Sequence, residues 1–147
     1  MNKNKLKRPI VWMFSGQGSQ YFGMGKSLYQ QHKVFRYWMD KLDDIAENYV
    51  GQSITQILYS EKQTKSTVFD QTLYSHPALF MVQYSLAQTL ISENFKYPDY
   101  IISASLGEFV AAAFSGVIDV ELMLFDIIKQ ARLVESHCHG GGMMAIL

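Results

Sequence analysis

The stretch from Pro98 to Ala113, Pro-Asp-Tyr-Ile-Ile-Ser-Ala-Ser-Leu-Gly-Glu-Phe-Val-Ala-Ala-Ala, leaves this chain few ways to fold. Its first half is a short apolar run bounded by proline, which reads as a buried strand. Its second half is an alanine-rich helix former. Only Ser103-Ala104-Ser105-Leu106-Gly107 lies between them, so the strand must turn sharply into the helix. Such a turn strains the backbone of its central serine and projects the hydroxyl, and it needs small residues two positions away where strand and helix approach. Gly107 stands on one side of Ser105 and Ser103 on the other, where the usual pattern has glycine. The Leu106 N–H and the helix start would lie beside an oxyanion developing there. Ser105 is therefore the candidate nucleophile. Ser-x-Gly is also common in loops and helix caps, so the rest of the chain must decide.

A second apolar run, residues 10–14, lies between Pro9 and a glycine-rich turn and reads as a strand buried on both faces. Helical spacing of Leu28, Phe35, Trp38, Met39, Leu42, Ile45 and Ala46 predicts a helix running to Tyr49, with Gly51 ending it. Residues 54–59 form another short helix and 61–69 a polar surface connection. Pro77 is expected to open a helix reaching Ile91, apolar on most of its circumference and so buried. Residues 106–115 follow the second strand as a helix, and Asp119 caps a last one running to about His137. Short buried strands alternating with longer helices predict a parallel α/β sheet. Lys41, Asp43, Asp44 and Glu47 read as a solvated helix face.

Several functions are excluded. The 147 residues carry 13 basic and 13 acidic side chains, and the basic ones concentrate only in Lys3, Lys5, Lys7 and Arg8, so nucleic acid is not a partner. No apolar run approaches the roughly 18 residues of a membrane span. The N-terminal run lacks a signal-peptide cleavage pattern. The single cysteine, Cys138, cannot form an internal disulfide and fits the cytoplasm. His137-Cys138-His139 has no second ligand pair and reads as a loop, so no metal site is expected. The loop Gly16-Gln17-Gly18-Ser19-Gln20 fails as a dinucleotide loop because Tyr21 stands where glycine is required. It is either a flexible turn or a backbone bend that brings the Gln17 amide to an acyl carbonyl as an oxyanion donor.

Three segments occur in order: Phe14-Ser15-Gly16-Gln17-Gly18-Ser19-Gln20, then Ser75-His76-Pro77-Ala78-Leu79-Phe80, then Ser105-Leu106-Gly107-Glu108-Phe109 with Ser115-Gly116-Val117-Ile118-Asp119. Together they resemble the malonyl-CoA:acyl-carrier-protein transacylase family of acyltransferases in fatty-acid and polyketide synthesis. The resemblance runs from Ile10 to Leu147. It implies an α/β-hydrolase-like core over residues 10–141, a basic lead-in over 1–9, and the first strand of a ferredoxin-like small subdomain at 142–147. The chain is accordingly expected to be the N-terminal part of a longer protein. The resemblance also implies a serine that takes an acyl group from CoA or from a phosphopantetheine on an acyl carrier protein and passes it on. No metal or redox cofactor is implied. Ser105 becomes the nucleophile, Leu106 N–H and Gln17 the oxyanion donors, and Gln20 a residue near the same pocket.

Departures from the family pattern carry the finer expectations. Its general-base histidine, expected beyond residue 147, matches none of His32, His76, His137 or His139. Ala104 stands where the family has histidine, and His76 where it has glutamine, as a helix-start side chain that hydrogen-bonds or faces the site. The arginine that grips a malonyl carboxylate in the family falls on Gln130. Arg132 lies roughly 200° around a helix from that position, and Lys129 lacks the guanidinium fork. A malonate charge against an amide would be poorly compensated, so uncharged acyl groups are expected. Relatives with such a change include acyl hydrolases that clear stalled carrier proteins. A catalytically silent module that docks carrier protein is the alternative; an unrelated esterase gives the Gly-Gln-Gly loop no role.

Overall fold

Strand β1 (Val11–Phe14) comes first and is followed by helices α1 (Lys26–Gln31), α2 (Lys33–Val50), α3 (Ile54–Leu58) and α4 (Thr72–Ser92). Strand β2 (Tyr100–Ser103) then leads into α5 (Gly107–Phe114) and α6 (Val120–His137). This computed structural model describes residues 8–138 and Gly141. Most of the lead-in, His139 and the strand expected at 142–147 lie outside these residues.

The α/β expectation holds: β1 and β2 pair in parallel, with Val11 opposite Tyr100 and Phe14 opposite Ser103. At the start of the ladder, Asp99 Oδ2 accepts from Ile10 N–H at 2.7 Å and the Ile10 carbonyl accepts from Asp99 N–H at 2.8 Å. One face of the pair is packed. Trp12 stacks on Phe114 of α5 at 5.2 Å between ring centroids, and Phe14 meets the same ring at 6.1 Å. The expectation of strands buried on both faces is corrected. Met13 and Tyr100 are 77% and 63% exposed, and Val11 and Ile102 lie exposed beside them. An unbroken apolar run carries no alternation, so it cannot tell a doubly covered strand from one covered on one side.

The helices enclose the core. Phe35, Met39, Leu42 and Ala46 of α2 and Leu124, Ile127, Ile128 and Ala131 of α6 are buried. Helix α4 buries Ala78, Leu79, Phe80, Met81 and Tyr84, which fits its apolar circumference. Two boundaries differ from expectation. The segment expected as one helix to Tyr49 breaks at His32, whose extended backbone (φ −110°, ψ 115°) starts α2 while its ring accepts from Phe35 N–H. Pro77 lies inside α4, not at its start, and His76 is therefore not a helix-start residue. The true start is held from another helix: Glu135 Oε1 of α6 accepts from Thr72 Oγ1 and Leu73 N–H, each at 2.8 Å. That carboxylate offsets the N-terminal dipole and is 62 residues away in sequence, so no local pattern announces it. Asp119 caps α6 as expected, its Oδ1 accepting from Glu121 N–H at 2.8 Å.

The solvated face expected around Lys41, Asp43, Asp44 and Glu47 is corrected at Asp43, which is buried. It accepts from Ser53 Oγ and Ile54 N–H, both at 2.6 Å, from Thr55 N–H at 3.1 Å and from the Thr55 hydroxyl. Its carboxylate thereby caps α3 from α2. Asp43→Ala strands these buried donors and is expected to lower unfolding free energy by about 3 kcal/mol. Chemical denaturation of the full-length protein would read this as an earlier midpoint, and an unmoved midpoint would contradict the assignment. Lys41 pairs with Glu121 at 3.0 Å on the surface, and this pair contributes little.

Candidate active site

β1 and β2 end level, so they deliver two turns side by side at the carboxyl end of the sheet, where open parallel sheets place their sites. One turn is Ser15-Gly16-Gln17 and the other Ala104-Ser105-Leu106. The Ala104 N–H donates to the Phe14 carbonyl at 3.2 Å, extending the ladder one step beyond the strands.

Ser105 has φ 50°, the left-handed region that a residue with a side chain seldom occupies. Holding it there costs about 1–2 kcal/mol. The turn is closed by Gly107 N–H donating to the Ala104 carbonyl and Glu108 N–H to the Ser105 carbonyl, both at 2.9 Å. Ala104 and Ser105 are exposed, whereas the Leu106 side chain is buried and anchors the turn. Among the described residues nothing accepts from the Leu106 N–H. An oxygen placed beside the Ser105 hydroxyl at the mouth of α5 would find that donor free.

Two glycines allow the turns to cross. A Cβ on Gly107 would fall 2.4 Å from the Phe14 carbonyl oxygen, and one on Gly16 would fall 2.6 Å from the Ala104 carbonyl oxygen and 3.2 Å from Ser105 Cβ. Sequence reasoning treated the loop glycines together, as a flexible turn or as a bend toward a substrate carbonyl, but the structure separates them. Gly16 makes room for the Ser105 turn itself, while Gly18, with φ 107° and open space around it, supplies a bend.

The loop is braced from within. Ser19 Oγ donates to the Gly16 carbonyl at 2.8 Å, and Gln20 Oε1 accepts from Gly18 N–H at 2.7 Å while its Nε2 donates to the Phe69 carbonyl at 3.1 Å. Both ends of the Gln20 amide therefore hold the loop. Gln17 follows Gly16 directly, and its side chain is exposed. Sequence reasoning missed Gln83 of α4, which bonds both backbone groups of Ser15, because the two residues are 68 positions apart.

The other candidates are not joined to Ser105 by any hydrogen bond among the described residues. Both ring nitrogens of His76 are buried without a partner there, and burial pushes its pKa below the usual histidine range against the pull of Glu135. Its imidazole is neutral at pH 7. His32 contacts Glu93 at 3.0 Å, and His137 contacts Ser136 Oγ at 2.7 Å. Gln130 is an exposed residue of α6. The Arg132 guanidinium donates to the Tyr49 carbonyl at the end of α2, and Lys129 lines a shallow apolar groove with Tyr49, Phe125 and Leu133. A groove of about 670 Å³ along Ser53, Gln56, Phe69 and Tyr74 does not include Ser105. Among the described residues no cluster of His, Cys, Asp and Glu could hold a metal ion, and no helix is long and apolar enough to cross a membrane.

Residues 11–147 match the family described as the acyl transferase domain. The chain belongs to that family. Its relatives among acyl transferases include the polyketide biosynthesis acyltransferase homolog PksD of Bacillus subtilis (strain 168), 48% identical over 142 residues, which covers 97% of this chain and 44% of PksD. The polyketide biosynthesis protein ThaF of Burkholderia thailandensis is 42% identical over 135 residues, covering 92% of this chain and 12% of ThaF. The chain thus spans less than half the length of these relatives. Among solved structures, the acyl transferase domain of ZmaA superposes with a TM-score of 0.80 at 32% identity, over 90% of this chain and 31% of that one. The malonyl-CoA:ACP transacylase of Synechocystis sp. PCC 6803 superposes with a TM-score of 0.70 at 28% identity, over 88% and 41%. The two crossing turns are therefore part of an acyl transferase domain.

Proposed function

We propose that this chain carries the acyl-serine half of an enzyme that moves acyl groups from CoA or acyl-carrier-protein thioesters in polyketide assembly. The observation carrying the reading is the left-handed backbone of Ser105 at a strand-to-helix turn, packed against Gly16. In the proposed reaction, Ser105 Oγ attacks the thioester carbonyl. The O–C bond forms, the C–S bond breaks, and the serine proton passes through a general base, a histidine beyond residue 147, to the departing thiol. The free Leu106 N–H and the Gln17 amide stabilise the oxyanion. The acyl group arrives on a thiol, so the reaction needs no metal or redox cofactor. The relatives' names, in polyketide biosynthesis and in acyl-carrier-protein transacylation, support both pathway class and partner.

Gln130 in the carboxylate-binding position supports uncharged acyl groups as substrates, because an amide cannot neutralise a malonyl carboxylate. Water then competes with a second thiol for the acyl-enzyme, so hydrolysis of stalled carrier-protein thioesters is part of the proposal. The test incubates full-length protein with acetyl- and malonyl-loaded carrier protein and follows adducts by intact mass and peptide mapping. Acetyl label on Ser105, released as free acetate, is expected, with malonyl label at least about tenfold slower. Gln130→Arg should raise malonyl acylation by about 10- to 100-fold, the value of a charge-assisted bidentate contact. Efficient malonyl transfer by the parent would overturn the preference. An adduct elsewhere would overturn Ser105 as the nucleophile, and no adduct at all would favour a silent carrier-docking module.

A further inference from the structure

Ser15 lies one residue past β1, where the strand's own pairing has ended, yet neither of its backbone groups is left open. Gln83 Oε1 accepts from Ser15 N–H at 2.7 Å and from Ser15 Oγ at 3.3 Å, while Gln83 Nε2 donates to the Ser15 carbonyl at 3.0 Å. A planar amide meeting both groups of one residue reproduces the pairing a neighbouring strand would give. Gln83 is also a half-buried amide in an apolar wall. It lines a groove with Val11, Met13, Leu86 and Leu90, where an unengaged amide would be costly.

The next residue, Gly16, is the one that abuts Ala104 and Ser105, and Gln17 follows it. The chain of contacts continues through Ser15 Oγ, 2.8 Å from Ser19 Oγ, whose single hydrogen is shared between Ser15 Oγ and the Gly16 carbonyl. We infer that Gln83 is a positioning residue that clamps Ser15 and thereby sets the Gly16-Gln17-Gly18 loop against the Ser105 turn. The inference rests on the acyl-serine reading for its catalytic consequence, and on geometry alone for the clamp. Gln83 touches neither substrate nor reacting atoms. Its effect falls on the rate of acylation, because a displaced oxyanion donor weakens the transition state more than thioester binding.

The experiment compares full-length parent, Gln83→Leu and Gln83→Glu, with acetyl-loaded carrier protein as probe. Gln83→Leu removes both bonds and should lower the acylation kcat by about 10- to 100-fold with KM nearly unchanged. Amide hydrogen exchange over residues 15–20 should speed up in the same variant. Gln83→Glu keeps the acceptor but donates to the Ser15 carbonyl only when protonated. Its rate relative to parent should therefore climb as pH falls toward the carboxyl pKa, a dependence that general loss of stability would not produce. Should Gln83→Leu fail to fold, the pH profile of Gln83→Glu remains decisive. Parent-like kcat with parent-like exchange, or a flat ratio for Gln83→Glu, would overturn the clamp and leave Ser105 standing. A parent that never labels Ser105 while exchange still rises in Gln83→Leu would overturn the acyl-serine reading and the clamp's catalytic consequence, leaving the bonds themselves.

Discussion

Ser105→Ala in the full-length protein is expected to abolish the acyl-enzyme and to lower acyl transfer from carrier protein by at least about 10⁴-fold. In the proposed mechanism the hydroxyl is the atom that bonds to the acyl carbon, and neither chain neighbour offers a replacement: Ala104 has no nucleophile, and the Leu106 side chain is buried. The substitution also relieves nothing in the backbone, since alanine meets the same φ of 50°. The fold should therefore persist, with a melting temperature close to the parent's. Loss of label with an intact melt is the expected pair of results. Persistent labelling at the parent rate would show that the acyl group is carried elsewhere.

Gly107→Ala should slow the reaction substantially, though less than Ser105→Ala, without touching any reacting group. Judged from helix propensity alone, alanine at the first position of α5 would stabilise by up to about 1 kcal/mol. The added Cβ, however, would sit 2.4 Å from the Phe14 carbonyl oxygen and 2.9 Å from that of Ser15, both fixed backbone. Carbon and oxygen normally approach to about 3.3 Å, so β1 and α5 must separate by roughly 1 Å. Overpacking of this kind costs about 1–3 kcal/mol and outweighs the propensity gain. The separation opens the crossing between the Ser105 turn and the Gly16 loop, and a displacement of that size should lower acylation by about 100-fold. Measured together, a lower melting temperature and slower labelling are expected; a more stable, fully active variant would show that propensity rules at this position.

Much of the fold could be read from local pattern. The turn at Ser105 and the cap at Asp119 depend on residues within a few positions of one another, and the structure holds them as expected. Features missed by sequence reasoning depend on partners far along the chain. Pro77 invites a helix start, but Glu135 of α6 moves the start to Thr72. Asp43 resembles its solvated neighbours in type, although its spacing from Met39 and Ala46 already places it on the buried stripe of α2. Gln83 is likewise on a helix apolar nearly all round, where a half-buried amide should prompt a search for its partner. The candidate site is legible in part: the Ser105 turn and the Gly16 loop are local motifs, whereas the bonds from Gln83 to Ser15 exist only once α4 has packed.

The left-handed backbone at residue 105 also narrows which chemistries this site could exchange by single substitution. Threonine would preserve an alcohol, yet its branched Cβ is poorly compatible with a φ of 50°. Cysteine, unbranched and differing by one atom, fits the same turn. The backbone therefore permits an exchange of oxygen for sulfur at this position more readily than an exchange of one alcohol for another. The fold, ahead of the reaction, thus decides which nucleophiles the position can try.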